Sequence, residues 1–215
     1  MRRPRRSRNR SMNKFYKVIY TLLAPFFRFF YRVQIRGQEN EPSEGGFLIC
    51  ANHLSNHDVI ILAASLRHQL CFLAKKELFA IPLLSQLIRA LGAFPIDRKG
   101  ADVGAIKKTV AMLREGHCVA MYPQGTRFPG KDPRTTKVKS GVGLIATRAE
   151  CSILPVSIQT KGYKIVPFKK TYITIGKPIT AEELRSFESG SAAYEQISKL
   201  VFGRILGQMK DDSTL

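Results

Sequence analysis

A histidine and an aspartate five residues apart form the pair in this sequence that is best suited to acid–base chemistry. His53 and Asp58 lie in the segment NHLSNHD, residues 52–58. Side chains that share a helix face are three or four residues apart, so this pair can meet only in a turn that opens a helix. There Asp58 would accept a hydrogen bond from one ring nitrogen of His53 and leave the other nitrogen free to take a proton. The alternative interpretation is a loop histidine beside a helix-capping aspartate.

The same segment admits a metal site as an alternative. His53 and His57 are four residues apart, and Asp58 follows directly. The helix of a zinc protease carries the pattern H-E-x-x-H, with the glutamate as base, but Leu54 stands where that glutamate would be. No further cluster of ligands is obvious in the sequence, so we predict that the site holds no metal.

A second polar cluster, YPQGTR at residues 122–127, follows an apolar run that is typical of a strand. Gly125 permits backbone angles that other residues avoid, while Thr126 and Arg127 offer hydroxyl and guanidinium donors. Arginine matches the oxygens of a phosphate in a two-pronged geometry. On its own, this segment would be interpreted as a solvated turn.

Two further basic residues follow strand-like runs. Lys75 comes after CFLA, residues 71–74, and Arg98 comes after FPID, residues 94–97. Both could add positive charge to a pocket for an anion. The alternative is that they form salt bridges on the surface.

The elements that would position these residues alternate along the chain. Short apolar runs rich in β-branched and aromatic residues predict strands at 33–36, 47–51, 71–74, 94–97, 118–122, 153–158 and 171–175. Helical patterns and stop signals predict helices at 57–66, 82–91, 102–115, 140–149, 181–187 and 192–209. This alternation favours an α/β fold with a mostly parallel central sheet covered by helices. Sites in such folds form at the carboxyl ends of the strands.

Taken together, the polar clusters give the sequence a family resemblance. It resembles the 1-acylglycerol-3-phosphate (lysophosphatidic acid) acyltransferases, whose signature has four ordered blocks: N-H-x-S-x-x-D, K-x-E-L followed by G-x-x-x-x-D-R, F-P-E-G-T-R, and a proline-centred strand. The matching positions are Asn52, His53, Ser55 and Asp58; Lys75, Glu77, Leu78, Gly92, Asp97 and Arg98; Pro123, Gly125, Thr126 and Arg127; and residues 153–158. The resemblance covers roughly residues 30 to 180, and four blocks in this order are highly specific.

The resemblance implies an O-acyltransferase of phospholipid biosynthesis. In the family the histidine, here His53, acts as general base on the free hydroxyl of a lysophospholipid, and the aspartate, here Asp58, orients it. The acyl donor is acyl-CoA or acyl-carrier protein, and no other cofactor is implied. Lys75, Arg98 and Arg127 are the expected phosphate contacts, with Gln124, Gly125 and Thr126 beside them in the substrate site. A backbone N–H near Gly125 is the expected donor to the oxyanion.

One position departs from the pattern of the family. The third block usually contains glutamate, and this chain has Gln124. Glutamine keeps the length and the hydrogen-bonding capacity of glutamate but loses its negative charge. A role for a carboxylate at this position is therefore in doubt, and the difference suits either another acceptor, such as glycerol-3-phosphate or another lyso-lipid, or a tolerated variant.

The charge of the chain restricts its partners. It has 35 Lys and Arg against 16 Asp and Glu, a formal net charge of +19, which suits nucleic acid, an anionic membrane surface or anionic small molecules. We find no RNP-like, helix-turn-helix or zinc-finger motif. The sequence therefore predicts no nucleic-acid partner, although a basic nucleic-acid-binding module is the main alternative from another class.

Composition divides the chain into three regions. Residues 1–12 are Arg-rich and predicted to be a disordered tail. Residues 13–32 mix aromatic and aliphatic residues with basic ones, and they predict an amphipathic hairpin or helix, broken at Pro25, that anchors the protein in a membrane interface. Residues 33–215 would form the acyltransferase domain. We expect association with anionic lipids at the cytoplasmic face of a membrane.

The cysteines fit a reducing compartment. Cys50, Cys71, Cys118 and Cys151 include no C-x-x-C pair, and each has apolar neighbours. This spacing argues against a zinc ribbon or a disulfide scaffold. We predict four buried free thiols.

Overall fold

A seven-stranded sheet forms the centre of the protein in the computed structural model, which describes residues 13–44, 46–96, 103–188 and 190–215. The strands are β1 (Val33–Arg36), β2 (Leu48–Ala51), β3 (Leu70–Lys75), β4 (Ala93–Ile96), β5 (Cys118–Met121), β6 (Ile153–Gln159) and β7 (Thr171–Ile175). Their order is β1-β7-β6-β2-β5-β3-β4. Of these strand pairs, β6 and β7 are antiparallel and the others are parallel. The predicted α/β fold with a mostly parallel sheet is confirmed.

Helices cover both faces of the sheet. They are α1 (Lys14–Phe30), α2 (Asp58–Ser65), α3 (Pro82–Ala90), α4 (Val103–Arg114), α5 (Gly141–Ala149), α6 (Ala181–Arg185) and α7 (Ser191–Leu206). Successive side chains of a strand point to opposite faces. Leu48 and Cys50 of β2 accordingly join a core with α4, α5, α6 and α7, whereas Ile49 and Ala51 join a core with α2. Burial on both faces explains why β2 is apolar throughout.

The first helix does not break at Pro25. Helix α1 is continuous from Lys14 to Phe30, so the predicted break is wrong. Proline removes one helical hydrogen bond, the one that would end on the carbonyl of Thr21. Thr21 and Pro25 are both exposed, so water can satisfy that carbonyl and the interruption costs little. No helix in the described ranges is long and apolar enough to cross a membrane.

One side of α1 belongs to the core of the protein. Tyr16 and Ala24 are buried, and the guanidinium of Arg28 donates a hydrogen bond from Nε to the carbonyl of Ala64, at the end of α2, at 2.6 Å. Asn13 caps the helix by accepting from the N–H of Tyr16 at 2.6 Å. The helix is therefore attached to the domain along much of its length and is not a separate appendage.

The four cysteines are free and buried, as predicted. Burial raises the pKa of Cys118 and of Cys151 to about 12. These thiols therefore stay protonated at neutral pH and act as small apolar side chains.

The polar residues that follow β2, β5 and β3 lie at the same edge of the sheet, the one formed by the carboxyl ends of the strands, because these three strands are parallel neighbours. Cys50 of β2 lies beside Met121 of β5, and Ala120 of β5 lies beside Phe72 of β3. The segments that follow β2 and β5, and Lys75 at the end of β3, therefore lie at one edge. Neighbouring strands are about 4.8 Å apart, so the ends of β2 and β3, with β5 between them, are about 10 Å apart.

Candidate active site

His53 and Asp58 form a hydrogen-bonded pair at this edge. The Nδ1 atom of His53 lies 2.7 Å from Oδ2 of Asp58. Because an ionised carboxylate only accepts hydrogen bonds, Nδ1 carries the proton and Nε2 keeps its lone pair. The Nε2 atom makes no hydrogen bond to any part of the chain that the structure describes. The arrangement therefore supplies an oriented base with a free nitrogen.

Asp58 is held in place by the turn that precedes α2. Its Oδ2 atom also accepts the backbone N–H groups of Leu54 at 2.7 Å and of Ser55 at 2.9 Å. Asp58 is the first residue of α2 and is fully buried, and a negative charge is stabilised at the N-terminus of a helix. The five-residue spacing thus works as the sequence predicted, because the chain turns before the helix begins.

Tyr122 supports the imidazole from one side. The rings of His53 and Tyr122 are stacked, with centroids 3.8 Å apart and planes within 8° of parallel. The hydroxyl of Tyr122 is buried and has no hydrogen-bond partner among the described residues. Burial, together with the nearby charge of Asp58, raises the pKa of Tyr122 well above its usual value, so the ring remains neutral. Sequence reasoning did not assign Tyr122 to the site, although it opens the YPQGTR segment.

Gln124 braces the backbone of His53. It is 3% exposed, and its Oε1 atom accepts the N–H of His53 at 2.6 Å. Its Nε2 atom donates to Oγ1 of Thr136 at 2.7 Å, and that hydroxyl donates to the carbonyl of Pro133 at 2.7 Å. Both polar ends of Gln124 are used within the chain. This geometry makes Gln124 a bracing residue for the histidine loop, and its predicted contact with the substrate stays a prediction.

The YPQGTR segment is tied to the His53 loop in two further places. The N–H of Phe128 donates to the carbonyl of His53 at 2.9 Å. The guanidinium of Arg127 donates from Nη1 to Oδ1 of Asn56 at 2.5 Å. Arg127 is otherwise exposed, so most of its donors face the solvent above the histidine loop. The role of Asn56 was missed, since its position in the first block is variable in the pattern.

Gly125 has the backbone conformation that the sequence suggested, and an oxyanion donor near it stays a prediction. Its φ is +69°, and Lys139 side-chain atoms lie 2.9 to 3.3 Å from where a Cβ atom would be. Another residue at 125 would therefore be both strained and crowded. The N–H of Gly125 already donates to the carbonyl of Tyr122 at 2.9 Å, so it is not a free oxyanion donor. Thr126 is exposed beside it, and Lys139 adds a positive charge that sequence reasoning missed.

The remaining predicted phosphate contacts are Lys75 and Arg98, and the structure does not bring Lys75 beside His53. Lys75 is exposed at the end of β3, on the far side of β5 from His53. Arg98 lies outside the described residues.

His57, considered above as a metal ligand, has its ring centroid 5.4 Å from that of Tyr31. Within the described ranges, no group of three or more His, Cys, Asp or Glu side chains could hold a metal ion.

Asn52 connects the first and fourth sequence blocks. Its side-chain Nδ2 donates to the carbonyl of Ile158 at 2.8 Å, and its Oδ1 accepts the N–H of Ile158 at 2.8 Å. Asn52 is fully buried, so these two bonds satisfy it where water cannot. They fix the start of the histidine loop against β6, which explains why an asparagine precedes the histidine.

A buried carboxylate that orients a histidine at the carboxyl edge of a parallel sheet, with a guanidinium beside it, is an arrangement that can take a proton from a hydroxyl near an anionic group. The model of the Acyltransferase family matches residues 32–159. The 1-acyl-sn-glycerol-3-phosphate acyltransferase of Bacillus subtilis is 31% identical over 150 residues, which cover 68% of this chain and 73% of that protein. The chain belongs to the Acyltransferase family and is an O-acyltransferase.

Two further comparisons agree with this assignment. The chloroplastic 1-acyl-sn-glycerol-3-phosphate acyltransferase LPAT1 of Arabidopsis thaliana is 30% identical over 141 residues, covering 64% of this chain and 38% of that protein. The crystal structure of the 1-acyl-sn-glycerophosphate acyltransferase PlsC from Thermotoga maritima superposes with a TM-score of 0.69 and 25% identity, covering 94% of this chain and 84% of that one. This chain thus spans less than half of the plant relative but most of the bacterial ones.

Proposed function

We propose that this enzyme transfers a fatty acyl group from acyl-CoA or acyl-carrier protein to the free hydroxyl of 1-acylglycerol-3-phosphate and so forms phosphatidic acid. The observation that carries the proposal is the 2.7 Å contact between Nδ1 of His53 and Oδ2 of Asp58, which leaves Nε2 free. The names of the relatives support the acceptor. The arginine that extends over the loop supports an anionic acceptor.

The proposed reaction needs one base and no covalent enzyme intermediate. Nε2 of His53 takes the proton of the acceptor hydroxyl, whose oxygen attacks the carbonyl carbon of the thioester. The tetrahedral intermediate then expels the thiolate, which takes the proton back from the imidazolium, so the products are an ester and a thiol. General base catalysis of this kind supplies about 10²–10⁴-fold. Asp58 stabilises the imidazolium that forms in between.

Arg127 and Lys75 are the proposed contacts of the acceptor phosphate, with Arg98 and Thr126 as further candidates. The guanidinium of Arg127 is positioned by Asn56, which lies between the base and its carboxylate in sequence. Lys75 lies about 10 Å from the end of β2 by strand spacing, a distance that its side chain and an acceptor headgroup can bridge together. Two cations on opposite sides would hold the phosphate while the hydroxyl faces Nε2.

A direct assay tests both the reaction and the acceptor. The purified enzyme would be given labelled acyl-CoA or acyl-carrier protein and a panel of lyso-phospholipids and glycerol-3-phosphate, with products identified by mass spectrometry. We expect phosphatidic acid as the main product and no product from a folded His53→Ala variant. His117→Ala is the matched control, because His117 precedes β5 at the opposite edge of the sheet. Normal turnover by His53→Ala would refute the assignment of the base.

We further propose that α1 lies in a membrane interface and brings the site to its lipid substrates. Large apolar side chains three or four residues apart are exposed on one face of α1, and they are Phe15, Val18, Leu22, Phe26 and Phe29. Phe29 is 76% exposed, and a row of this kind marks a surface for binding apolar partners. Basic residues on the same helix suit anionic lipid. Vesicles should therefore pellet the protein, whereas nucleic acid should not.

A further inference from the structure

An open cleft of about 410 Å³ lies beside the C-terminal end of α1, and none of the residues that line it belongs to the site described above. Four basic side chains line it, those of Arg32, Lys161, Lys169 and Lys170, together with the rings of Phe168 and Tyr172. Arg32 follows α1, Tyr172 lies on β7, and the others come from the connection between β6 and β7. We refer to this cleft as the basic pocket.

Positive charge is in excess among the residues that line the basic pocket. None of its four basic side chains forms an ion pair within the part of the chain that the structure describes. The nearby carboxylate of Asp212 accepts the N–H of Gly162, the residue after Lys161, at 2.8 Å, so the four basic side chains still leave positive charge in excess. The side chain of Lys169 donates to the carbonyl of Lys161, which holds these residues close together. Like charges held this close repel one another, so an anion bound among them would be stabilised.

The backbone of the basic pocket adopts an unusual conformation at two lining residues. Arg32 has φ +43° and Phe168 has φ +61°, although neither is glycine. Such conformations are strained for residues that carry a side chain and persist where the surrounding structure enforces them. Here the N–H of Phe168 donates to the carbonyl of Phe30 at 2.8 Å. This bond joins the β6–β7 connection to the end of α1 and sets the shape of the cleft.

An apolar surface continues directly from the basic pocket. Phe168 is 60% exposed, and its ring centroid lies 4.9 Å from that of Phe30. Phe30 in turn stacks on Phe26 at 5.7 Å, which belongs to the exposed apolar face of α1. An anion bound in the pocket would therefore have solvent on one side and, on the other, an apolar surface that an acyl chain could contact. That combination suits the phosphate of a lipid better than a soluble anion.

We propose that the basic pocket binds the headgroup phosphate of an anionic phospholipid in the bilayer, through residues other than those proposed to bind the acceptor. This inference rests on the proposed membrane association of α1. The volume of the cleft suits a single headgroup, whereas docking an acidic protein needs a surface of about 800 Å² on each partner. A lipid held here would fix how the end of α1 and the β6–β7 connection meet the membrane.

The test compares two double variants that lose the same charge. Lys161→Gln/Lys170→Gln changes the pocket, and Lys107→Gln/Lys177→Gln is the control, since Lys107 lies on α4 across the sheet and Lys177 follows the far end of β7. All four lysines are exposed, so both variants should fold. Binding is measured by flotation with phosphatidylcholine vesicles containing about one fifth phosphatidylglycerol. Two basic residues at an anionic surface contribute roughly thirty-fold in affinity, so the pocket variant should lose about that factor and the control less than three-fold.

Other outcomes would overturn the proposal. Equal losses in the two variants would show that net charge alone matters. Saturable binding of inorganic phosphate to the wild type, lost in the pocket variant while vesicle binding remains, would assign the pocket to a soluble anion. If the pocket variant lost activity with acyl-carrier protein as donor but not with acyl-CoA, and still bound vesicles, the pocket would be assigned to an acidic protein. Acyl transfer is measured separately, in neutral detergent micelles. An inactive wild type in that assay would refute the proposed reaction, while the comparison of vesicle binding between the two variants would still test the pocket.

Discussion

Replacing Gln124 by glutamate, the residue usual in the family, should move the pH dependence of the enzyme. In the structure Oε1 of Gln124 lies 2.6 Å from the backbone nitrogen of His53. A glutamate in the same rotamer would place a carboxylate there and would keep this hydrogen bond. Thr136 would have to turn its hydroxyl toward the second carboxylate oxygen and give up its bond to the carbonyl of Pro133. The brace would survive, but it would carry a negative charge.

The size of the effect follows from distance and burial. The imidazole of His53 begins three bonds from its backbone nitrogen, and that nitrogen lies 2.6 Å from Oε1, so the new charge would lie about 5–6 Å from the ring. At 6 Å a unit charge contributes about 0.7 kcal/mol at a dielectric constant of 80 and about 2.8 kcal/mol at 20. One pH unit corresponds to about 1.36 kcal/mol. The negative charge favours the imidazolium, so the acidic limb of the pH profile of kcat/KM should move to higher pH by about 0.5–2 units.

The assay is kcat/KM for acyl transfer across pH 5 to 9, measured for the wild type, Gln124→Glu and Gln124→Met. Methionine fills the space of glutamine without a charge or a strong hydrogen bond, so it should lower activity at every pH and leave the position of the limb unchanged. The N–H of His53 would lose its acceptor in that variant, at about 1–3 kcal/mol. An active Gln124→Glu enzyme whose acidic limb has not moved would refute the reasoning, because His53 would then not be the titrating base.

Three further substitutions test the rest of the site. Asp58→Asn should lower kcat by orders of magnitude, as the tautomer of His53 is no longer enforced; a loss of less than ten-fold in a folded variant would contradict this. Arg127→Lys should raise the acceptor KM about ten- to hundred-fold with little change in the donor KM, because an ammonium cannot reproduce the guanidinium fork; equal changes would remove the assignment. Tyr122→Phe should leave Tm unchanged or raise it slightly, since its buried hydroxyl has no partner among the described residues, and a large loss of kcat would show that this hydroxyl reaches the substrate.

The elements could be predicted because each carries a local signal. Strand β2 and the other strands are short apolar runs, and their alternation with helices implies parallel pairing. The meeting of His53 and Asp58 could be predicted for the same reason, because they are only five positions apart and a helix begins at Asp58. The prediction of a break at Pro25 was wrong. Proline does remove a helical hydrogen bond, but Thr21 and Pro25 are exposed, so water can satisfy the free carbonyl of Thr21.

The contacts between distant segments could not be predicted from the sequence. Parallel strands bring the first and third blocks to one edge, but they do not say which atoms meet. The bond from Arg127 to Asn56 and the bond from His53 to Gln124 each join residues 71 positions apart. The stacking of Tyr122 on His53 depends on the register of β5 beside β2. A shift of one residue in that register would turn Tyr122 to the other face of the sheet.

The bracing of Gln124 also explains how the chain can dispense with the usual carboxylate. The hydrogen bonds run in one direction, from the N–H of His53 through Gln124 and Thr136 to the carbonyl of Pro133. An amide accepts at one end and donates at the other, so every group in this series is satisfied without a charge. A buried carboxylate would accept at both ends and would need to be compensated. The position serves to hold the base, glutamine performs that role, and the negative charge that orients His53 comes from Asp58.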